Sequence, residues 1–226
     1  MADFAALRRR MVDTQLVARG IRHPAVLRAM AAIPQERFVP ELDAPDAYED
    51  SALTIGHGQT ISQPYVVALM LEAIAPGPTD RVLEIGTGSG YAAAVLAEVV
   101  AEVYTVERLG TLAAAARTRL AELGYRNVHI LEGDGTLGWP EHAPYDGIVV
   151  TAGGPDVPAP LLPQLQIGGH LVVPVGSTPR SQELVRVTRR TTDDCATESL
   201  GAVAFVPLIG EAGWPKPGPG HSGAGS

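Results

Sequence analysis

The chain is short of several things, and each shortage removes a class of function. Its 226 residues include a single cysteine, Cys195, so neither an internal disulfide framework nor a cysteine metal cluster can form. Cys195 reads as a reduced thiol near the surface. No uncharged apolar stretch reaches the ~18 residues that a membrane span requires. The basic run Arg8-Arg9-Arg10 is not followed by an apolar signal core, so a cytoplasmic location is expected. His23, His129, His142, His170 and His221 are scattered without ligand spacing, and no metal is expected. The formal net charge of −8 disfavours a nucleic-acid substrate, since phosphates call for a basic surface. Gly88-Ser89-Gly90 does not satisfy G-x-S-x-G, so no nucleophile elbow is present. Internal repeats are also missing.

What remains is a chain of 46% hydrophobic residues, enough to bury one core as a single α/β domain. Residues 82–90 read V-L-E-I-G-T-G-S-G. Val82, Leu83 and Ile85 form a run suited to a central parallel strand. Gly86, Gly88 and Gly90 then give a turn whose backbone can lie against a ligand without Cβ interference. The Ala-rich stretch Tyr91 to Val100 follows as a helix whose free N–H groups face that turn. A dinucleotide fingerprint needs a third glycine where Tyr91 stands. G-x-G-x-G is instead common among S-adenosylmethionine methyltransferases. By itself the triplet also fits a plain tight strand-to-helix connection. A second strand, Val103 to Val106, ends at Glu107, where a carboxylate can accept both ribose hydroxyls of an adenosine. A third, Val128 to Leu131, ends in Glu132-Gly133-Asp134-Gly135, placed to read an adenine edge.

Elsewhere, apolar spacing predicts a helix over Phe4 to Ala18 that stops at Gly20, and Pro24 opens another over Ala25 to Ala32, closed by Pro34. Pro40 to Asp50 reads as acidic loop. Leu53 to Ile61 reads as a strand or hairpin broken by Gly56 and Gly58, and Pro64 starts a helix over Tyr65 to Ile74. From residue 82 to 176 strands and helices alternate, which predicts a doubly wound, mostly parallel sheet. Tyr145 to Thr151 is its fourth strand, Leu161 to Leu165 part of a helix, and Gly168-Gly169 a turn into Leu171 to Val175. Gln182 to Arg189 and Val203 to Leu208 are expected to complete the sheet as an antiparallel pair. Residues 1–78 are then N-terminal helices plus a polar loop packed on the core, 79–214 the cofactor-binding core, and 215–226 a disordered tail rich in Pro and Gly. In the polar loop Gly56 to Pro64, Ser62 also fits a plain N-cap, and His57 fits either a substrate contact or a simple turn role. Asp146 reads as capping or bonding.

The segments G-H-G-Q-T-I-S-Q-P-Y, V-L-E-I-G-T-G-S-G-Y, E-G-D-G, P-Y-D-G-I-V-V-T-A, Q-L-Q-I-G-G-H-L-V-V-P-V-G and F-V-P-L together resemble the protein-L-isoaspartate O-methyltransferase family. The resemblance runs in order from about Met11 to Trp214, and T-I-S-Q-P is its specific part. It implies a Rossmann-like S-adenosylmethionine methyltransferase with an N-terminal helical extension. The implied substrates are isoaspartyl proteins and peptides, with no nucleic acid or membrane partner, and a monomer is expected. The implied reaction esterifies the α-carboxylate of L-isoaspartyl residues, after which the neighbouring backbone nitrogen displaces methanol to close a succinimide whose hydrolysis returns some aspartate. Carried over by position, Ser62 matches the active-site serine, with Thr60 and Ile61 beside it at the junction of cofactor and substrate. Glu84, Gly86, Gly88 and Gly90 match the first cofactor motif, Glu107 the ribose-binding acid, and Asp134 with Gly135 the adenine side. Val206-Pro207-Leu208 matches a strand lining the substrate cleft with Ile61 and Ser62. Some members carry His in place of Tyr65 and Thr in place of Ile209. A related enzyme acting on normal aspartate of a ribosomal peptide to form aspartimide is the nearest alternative. Further off stand a non-catalytic nucleotide-binding module and a nicotinamide dehydrogenase.

Overall fold

A computed structural model of the chain describes residues 3–178 and 181–216. Residues 217–226, most of the expected disordered tail, lie outside them. The N-terminal unit begins with α1 (Phe4–Met11), whose N-cap Asp3 accepts the Ala6 N–H. It continues through a π-helical turn, Val12–Leu16, and a 3-10 turn, Val17–Arg19, to Gly20 at φ +100°. The helix thus stops where a left-handed residue ends it. Next comes α2 (Pro24–Ala32), with Pro24 at its start, where a missing N–H costs nothing. A hairpin, β1 (Leu53–Gly56) and β2 (Gln59–Ile61), leads into α3 (Pro64–Ala73). Glu72 of α3 ties the start of α2 down: its Oε2 accepts the Arg22 N–H at 2.6 Å and the His23 N–H at 2.5 Å.

The core then alternates β3 (Arg81–Ile85), α4 (Tyr91–Ala97), β4 (Glu102–Glu107), α5 (Gly110–Glu122), β5 (Val128–Glu132) and β6 (Tyr145–Val150). It closes with β7 (Leu165–Thr178), β8 (Ser181–Arg189) and β9 (Cys195–Val203). The sheet order is β5-β4-β3-β6-β7-β8-β9, parallel through β7 and antiparallel beyond. This is the expected doubly wound, mostly parallel architecture, and its strand order reverses between β3 and β6. Crevices at such reversals, beyond the carboxyl ends of the strands, are where ligands bind.

Side-chain alternation along each strand divides the interior in two. Val82, Val103, Val149 and Val172 face α3, α4 and the N-terminal helices. Leu83, Val106, Ile148, Val150 and Leu171 face the other layer, around Tyr145 and Leu161. On that rule Glu84 falls on the helix-covered face with Val82.

Five local expectations are corrected. Leu161 to Leu165 is not α-helix: Ala159–Gln164 is a 3-10 run with Pro163 inside it, and Leu165 already belongs to β7. Proline cannot supply the N–H that an α-helix would need there. Gly168-Gly169 is no turn but lies within β7; Gly168 sits at φ +88° and the pairing with β6 shifts register between Tyr145 and Gly147, the mark of a bulge. The partner of β8 is β9, not Val203 to Leu208. β9 is a mostly exposed edge strand without an apolar alternation to announce it, whereas Val206 and Leu208 are apolar because of what they cover. Lastly, Gln63, not Ser62, is the N-cap of α3, because Pro64 takes the first helical position. The helix after the glycine turn also ends at Ala97, short of Val100. Among the described residues no helix is long and apolar enough to cross a membrane.

Replacing Glu72 by Ala orphans two N–H groups at the start of α2. It is expected to cost about 2 kcal/mol in urea-induced unfolding, a charged acceptor's worth of hydrogen bonding.

Candidate active site

The turn after β3 is pinned from both neighbouring strands. Gly86 N–H donates to the Val106 carbonyl at 2.8 Å. From the other side, Thr151 Oγ1 donates toward the carbonyls of Ile85 at 2.9 Å and Gly86 at 2.8 Å. Gly86, Gly88 and Gly90 all have positive φ, a region that side chains resist. At Gly86 space is also closed, since a Cβ would lie 2.4 Å from Thr151 Oγ1. Glu107, at the end of β4, completes the cradle: Oε2 accepts the Gly88 N–H and Oε1 the Leu109 N–H, each at 2.9 Å. Each carboxylate oxygen so bound still has a lone pair to offer.

Two cavities of about 480 and 540 Å³ adjoin along this turn, both lined by Thr60, Gly86, Gly88 and Thr151. The first runs inward over Glu84, Ile61 and Ser62 to Met70 and Tyr91. The second runs outward over Glu107, Arg108 and Gly135 to Val206, Pro207 and Leu208. The β1–β2 hairpin covers the turn from outside: the Ile55 methyl approaches Gly88, and His57 Nε2 meets Thr111 Oγ1 at 3.2 Å. His57 itself has φ +54° between two glycines of positive φ. It serves the hairpin tip and its hold on α5.

Glu84 is fully buried at the head of the inner cavity. Its Oε2 accepts the Thr105 hydroxyl at 2.6 Å, which in turn meets Thr87 Oγ1 at 2.7 Å. Oε1 has no hydrogen-bond partner among the described residues. Burial, opposed by the Thr105 hydrogen bond and reinforced by the nearby Glu107 charge, pushes its pKa up to about 8. A proton on Glu84 at neutral pH is the cheapest state for an unpaired buried carboxyl. A cation brought against Oε1 would reverse that balance.

Asp134 does something the sequence did not suggest. Its Oδ1 accepts the Thr136 N–H and hydroxyl at 2.9 and 2.7 Å, and its Oδ2 accepts the Glu211 N–H at 2.8 Å. Thr136 Oγ1 also accepts the Ala212 N–H at 3.0 Å. Burial raises the Asp134 pKa, but these donors outweigh it and hold the carboxyl below its ordinary range. The chain from Val206 to Trp214 is thereby tied down as a strap across the carboxyl ends of the strands. Its other anchor is Gly153, which bridges Pro207 and accepts the Leu208 N–H and, at 2.9 Å, the Trp214 indole N–H. Gly135, not Asp134, lines the outer cavity.

Ser62 follows β2 and lines both the inner cavity and a wider outer trough of about 1160 Å³, as does Thr60. The Ser62 side chain makes no hydrogen bond among the described residues. The structure therefore brings Thr60, Ile61, Ser62, Glu84, Gly86 and Gly88 to one cavity, and Glu107, Gly135 and Val206 to Leu208 to its neighbour. Gly90 stands behind the turn, against Ala116 and Leu120 of α5. The sequence reading missed Thr87, Thr105 and Thr151. Only their places in the fold, Thr105 opposite Glu84 in β4, Thr87 in the turn after β3 and Thr151 just past β6, could have drawn attention to them. Asp146 accepts the Arg81 N–H at 2.8 Å, a scaffold role as expected. Among the described residues no group of three potential metal ligands occurs.

Three kinds of comparison with known proteins agree. Residues 7–213 match the family described as protein-L-isoaspartate(D-aspartate) O-methyltransferase. The chain is 60% identical to protein-L-isoaspartate O-methyltransferase 1 of Geotalea uraniireducens (strain Rf4), over 94% of this chain and 97% of that one. It is 55% identical to the protein-L-isoaspartate O-methyltransferase of Methanoregula boonei (strain DSM 21154 / JCM 14090 / 6A8), over 92% and 94%. A solved protein-L-isoaspartate O-methyltransferase superposes with TM-score 0.82 at 31% identity, covering 91% of this chain and 67% of that one. A second, from Plasmodium falciparum and solved with S-adenosyl-L-homocysteine, shares the fold at 24% identity and TM-score 0.77, over 92% and 99%.

Two outcomes check this geometry. Glu84 ionises near 4.5 when unfolded and near 8 when folded, so between those values only the unfolded chain gives up the proton. Native stability should accordingly fall as pH rises across that window and level off above it. Glu84→Gln should remove this slope, and denaturant titrations from pH 5 to 9 will read the difference. Asp134→Ala should free the strap, accelerating hydrogen exchange at the Glu211 and Ala212 amides about tenfold while β3 to β7 stay protected.

Proposed function

The chain belongs to the protein-L-isoaspartate(D-aspartate) O-methyltransferase family, and from its site we infer how that chemistry is divided among its residues. The enzyme methylates the α-carboxylate of L-isoaspartyl residues in damaged proteins and peptides, with S-adenosylmethionine as the methyl source. The cofactor supplies, when bound, a methyl group on a positively charged sulfur that departs as a neutral thioether.

The residues fit that group. Glu107 is aimed at the outer cavity with lone pairs to spare for a diol, and Gly135 and Leu208 give flat surroundings for a base. The unpaired Oε1 of Glu84 in the inner cavity suits the cationic amino-acid end. Gly86 and Gly88 leave the backbone bare between the two.

The observation that carries the reading is Ser62, which lines both the inner cavity and the outer trough and whose hydroxyl has no partner among the described residues. A client carboxylate is ionised at neutral pH, so it is already the nucleophile and needs no base. It needs a fixed position and the exclusion of water. Alignment of this kind can contribute on the order of 7–11 kcal/mol. We assign Ser62 the donation of one hydrogen bond to that carboxylate, with Ile61 and the Val206 to Leu208 strap as its apolar walls. A neutral donor orients the carboxylate without over-stabilising its ground state, as Lys or Arg would. After esterification, attack by the adjacent peptide nitrogen expels methanol and closes the succinimide; a methoxide equivalent is a better leaving group than the original carboxylate oxygen, so the enzyme's part ends with the ester.

Ser62→Ala should lower kcat on an isoaspartyl peptide about 10- to 100-fold, the worth of one hydrogen bond to a charged group. Binding of S-adenosyl-L-homocysteine, read by calorimetry, should be retained. Paired peptides differing only in Asp or isoAsp, with labelled cofactor and methanol release as the readout, test the substrate assignment. Equal methylation of the two would reject it.

A further inference from the structure

We propose that the inner cavity takes its cofactor by proton exchange: Glu84 is the neutral acid while the cavity is empty and releases its proton to solvent as a ligand ammonium group arrives. Thr105 is the positioning residue that leaves Oε1 of Glu84 free for that contact. Both statements rest on the cofactor assignment above.

Glu84 has a donor on one oxygen and none on the other. Thr105 in β4 and Thr87 in the glycine turn are both buried. Thr105 directs its one hydroxyl proton to Glu84 Oε2 at 2.6 Å. In the 2.7 Å contact between the two threonines the donor is therefore Thr87. The result is a directed chain from Thr87 through Thr105 to Oε2, in which each donor polarises the next. Oε2 is thereby committed. Oε1, buried and without a partner among the described residues, is the oxygen left for a proton or a ligand.

No positive charge of the protein answers this carboxyl. Among the described residues the inner cavity has no lysine, arginine or histidine in its lining. From α3 it receives Val67, Met70 and Leu71, and from β6 Val149. Tyr91 of α4 also lines it but stays protonated, since burial raises the phenol pKa and the hydroxyl donates to Met30 Sδ at 3.4 Å. The charge that acts on Glu84 is that of Glu107, at the end of β4, and it has the same sign. Burial and Glu107 favour the neutral acid against the Thr105 hydrogen bond, and ionisation waits until about pH 8. A cation entering the cavity supplies the compensation that the side chains withhold.

In the exchange the O–H bond at Oε1 breaks, its electron pair stays on the oxygen, and the proton passes to solvent and buffer. A ligand N–H then donates to Oε1. Well below the ~8 at which an α-amino group titrates, the ligand is an ammonium ion before and after binding. One proton then leaves per ligand bound, and affinity climbs about tenfold per pH unit.

Calorimetric titration of the full chain with S-adenosyl-L-homocysteine, in buffers of different ionisation enthalpy, counts the protons. At about pH 6.5 the wild type should release close to one, and affinity should rise about tenfold over the pH unit below. Infrared spectra of the ligand-free protein at that pH should show a protonated-carboxyl band that vanishes on ligand addition. Glu84→Gln should lack that band, a readout that does not require the variant to bind. Thr105→Val removes the donor that favours the carboxylate. Its affinity at the same pH should fall about tenfold, in line with one hydrogen bond to a charged group, raising the cofactor KM with kcat little changed. Thr105→Ser should restore both, and Thr105→Ala replaces the valine variant if melting curves show that it does not fold. Binding to wild type without proton release overturns the proposal. So does a band that survives ligand addition or remains in Glu84→Gln, or wild-type affinity in folded Thr105→Val or Thr105→Ala. If S-adenosyl-L-homocysteine does not bind the wild type, the cofactor assignment fails as well. If it binds without proton release while an isoaspartyl peptide is still methylated, the proton exchange alone fails.

Discussion

Everything near the reaction depends on how the backbone between β3 and α4 is held away from its own strand. Left alone, a glycine turn is floppy, because glycine loses more conformational freedom on ordering than any other residue. Here three different strands restrain it: Val106 and Glu107 at the end of β4, Thr151 at the end of β6, and Ile85 itself. Glu107 is central to this arrangement. Its carboxylate orders Gly88 and Leu109 while still facing the cavity, so the group offered to ligand is also a brace of the turn that receives it.

The strap from Val206 to Trp214 extends the same logic to the far wall of the outer cavity. It is not a strand of the sheet. It is held by Asp134 and Thr136 after β5 and by Gly153 after β6. Both anchors follow core strands at their carboxyl ends, where Gly135 and Thr151 line the two cavities along the glycine turn. The glycine turn's cavities and the strap that walls them are therefore built on common supports. Close packing enforces this, since a Cβ on Gly210 would lie 2.1 Å from Asp134 Oδ1.

Much of this was legible in the residues. Val82 to Gly90, the acid at 107 and the alternation from 82 to 150 announce a parallel sheet and its ligand crevice, because hydrophobic period and glycine placement are local properties. T-I-S-Q-P singles out Ser62 through resemblance alone, since nothing in its own neighbourhood separates a substrate-binding serine from a capping one. Proline at 64 settles the cap on Gln63, a local fact that the motif obscured. The strand at 195–203 carries no sequence signal because an exposed edge strand needs no apolar alternation, whereas Val203 to Leu208 reads as a strand because apolar residues look alike whether they pair or merely cover.

Local residue pattern alone dictates that a bare glycine turn follows a buried strand, with carboxylates at 84, 107 and 134 set in order around it. It could not say what each carboxylate does, because that depends on which distant groups reach it. Tertiary structure left Glu84 buried with one oxygen unpaired among the described residues, turned Glu107 toward both the turn and the cavity, and engaged Asp134 and Thr136 in binding residues 211 and 212. It also placed Ser62 where two openings meet. Those outcomes arise from strand order and from contacts between residues as far apart as 134 and 211, and no local pattern encodes a distance of that kind.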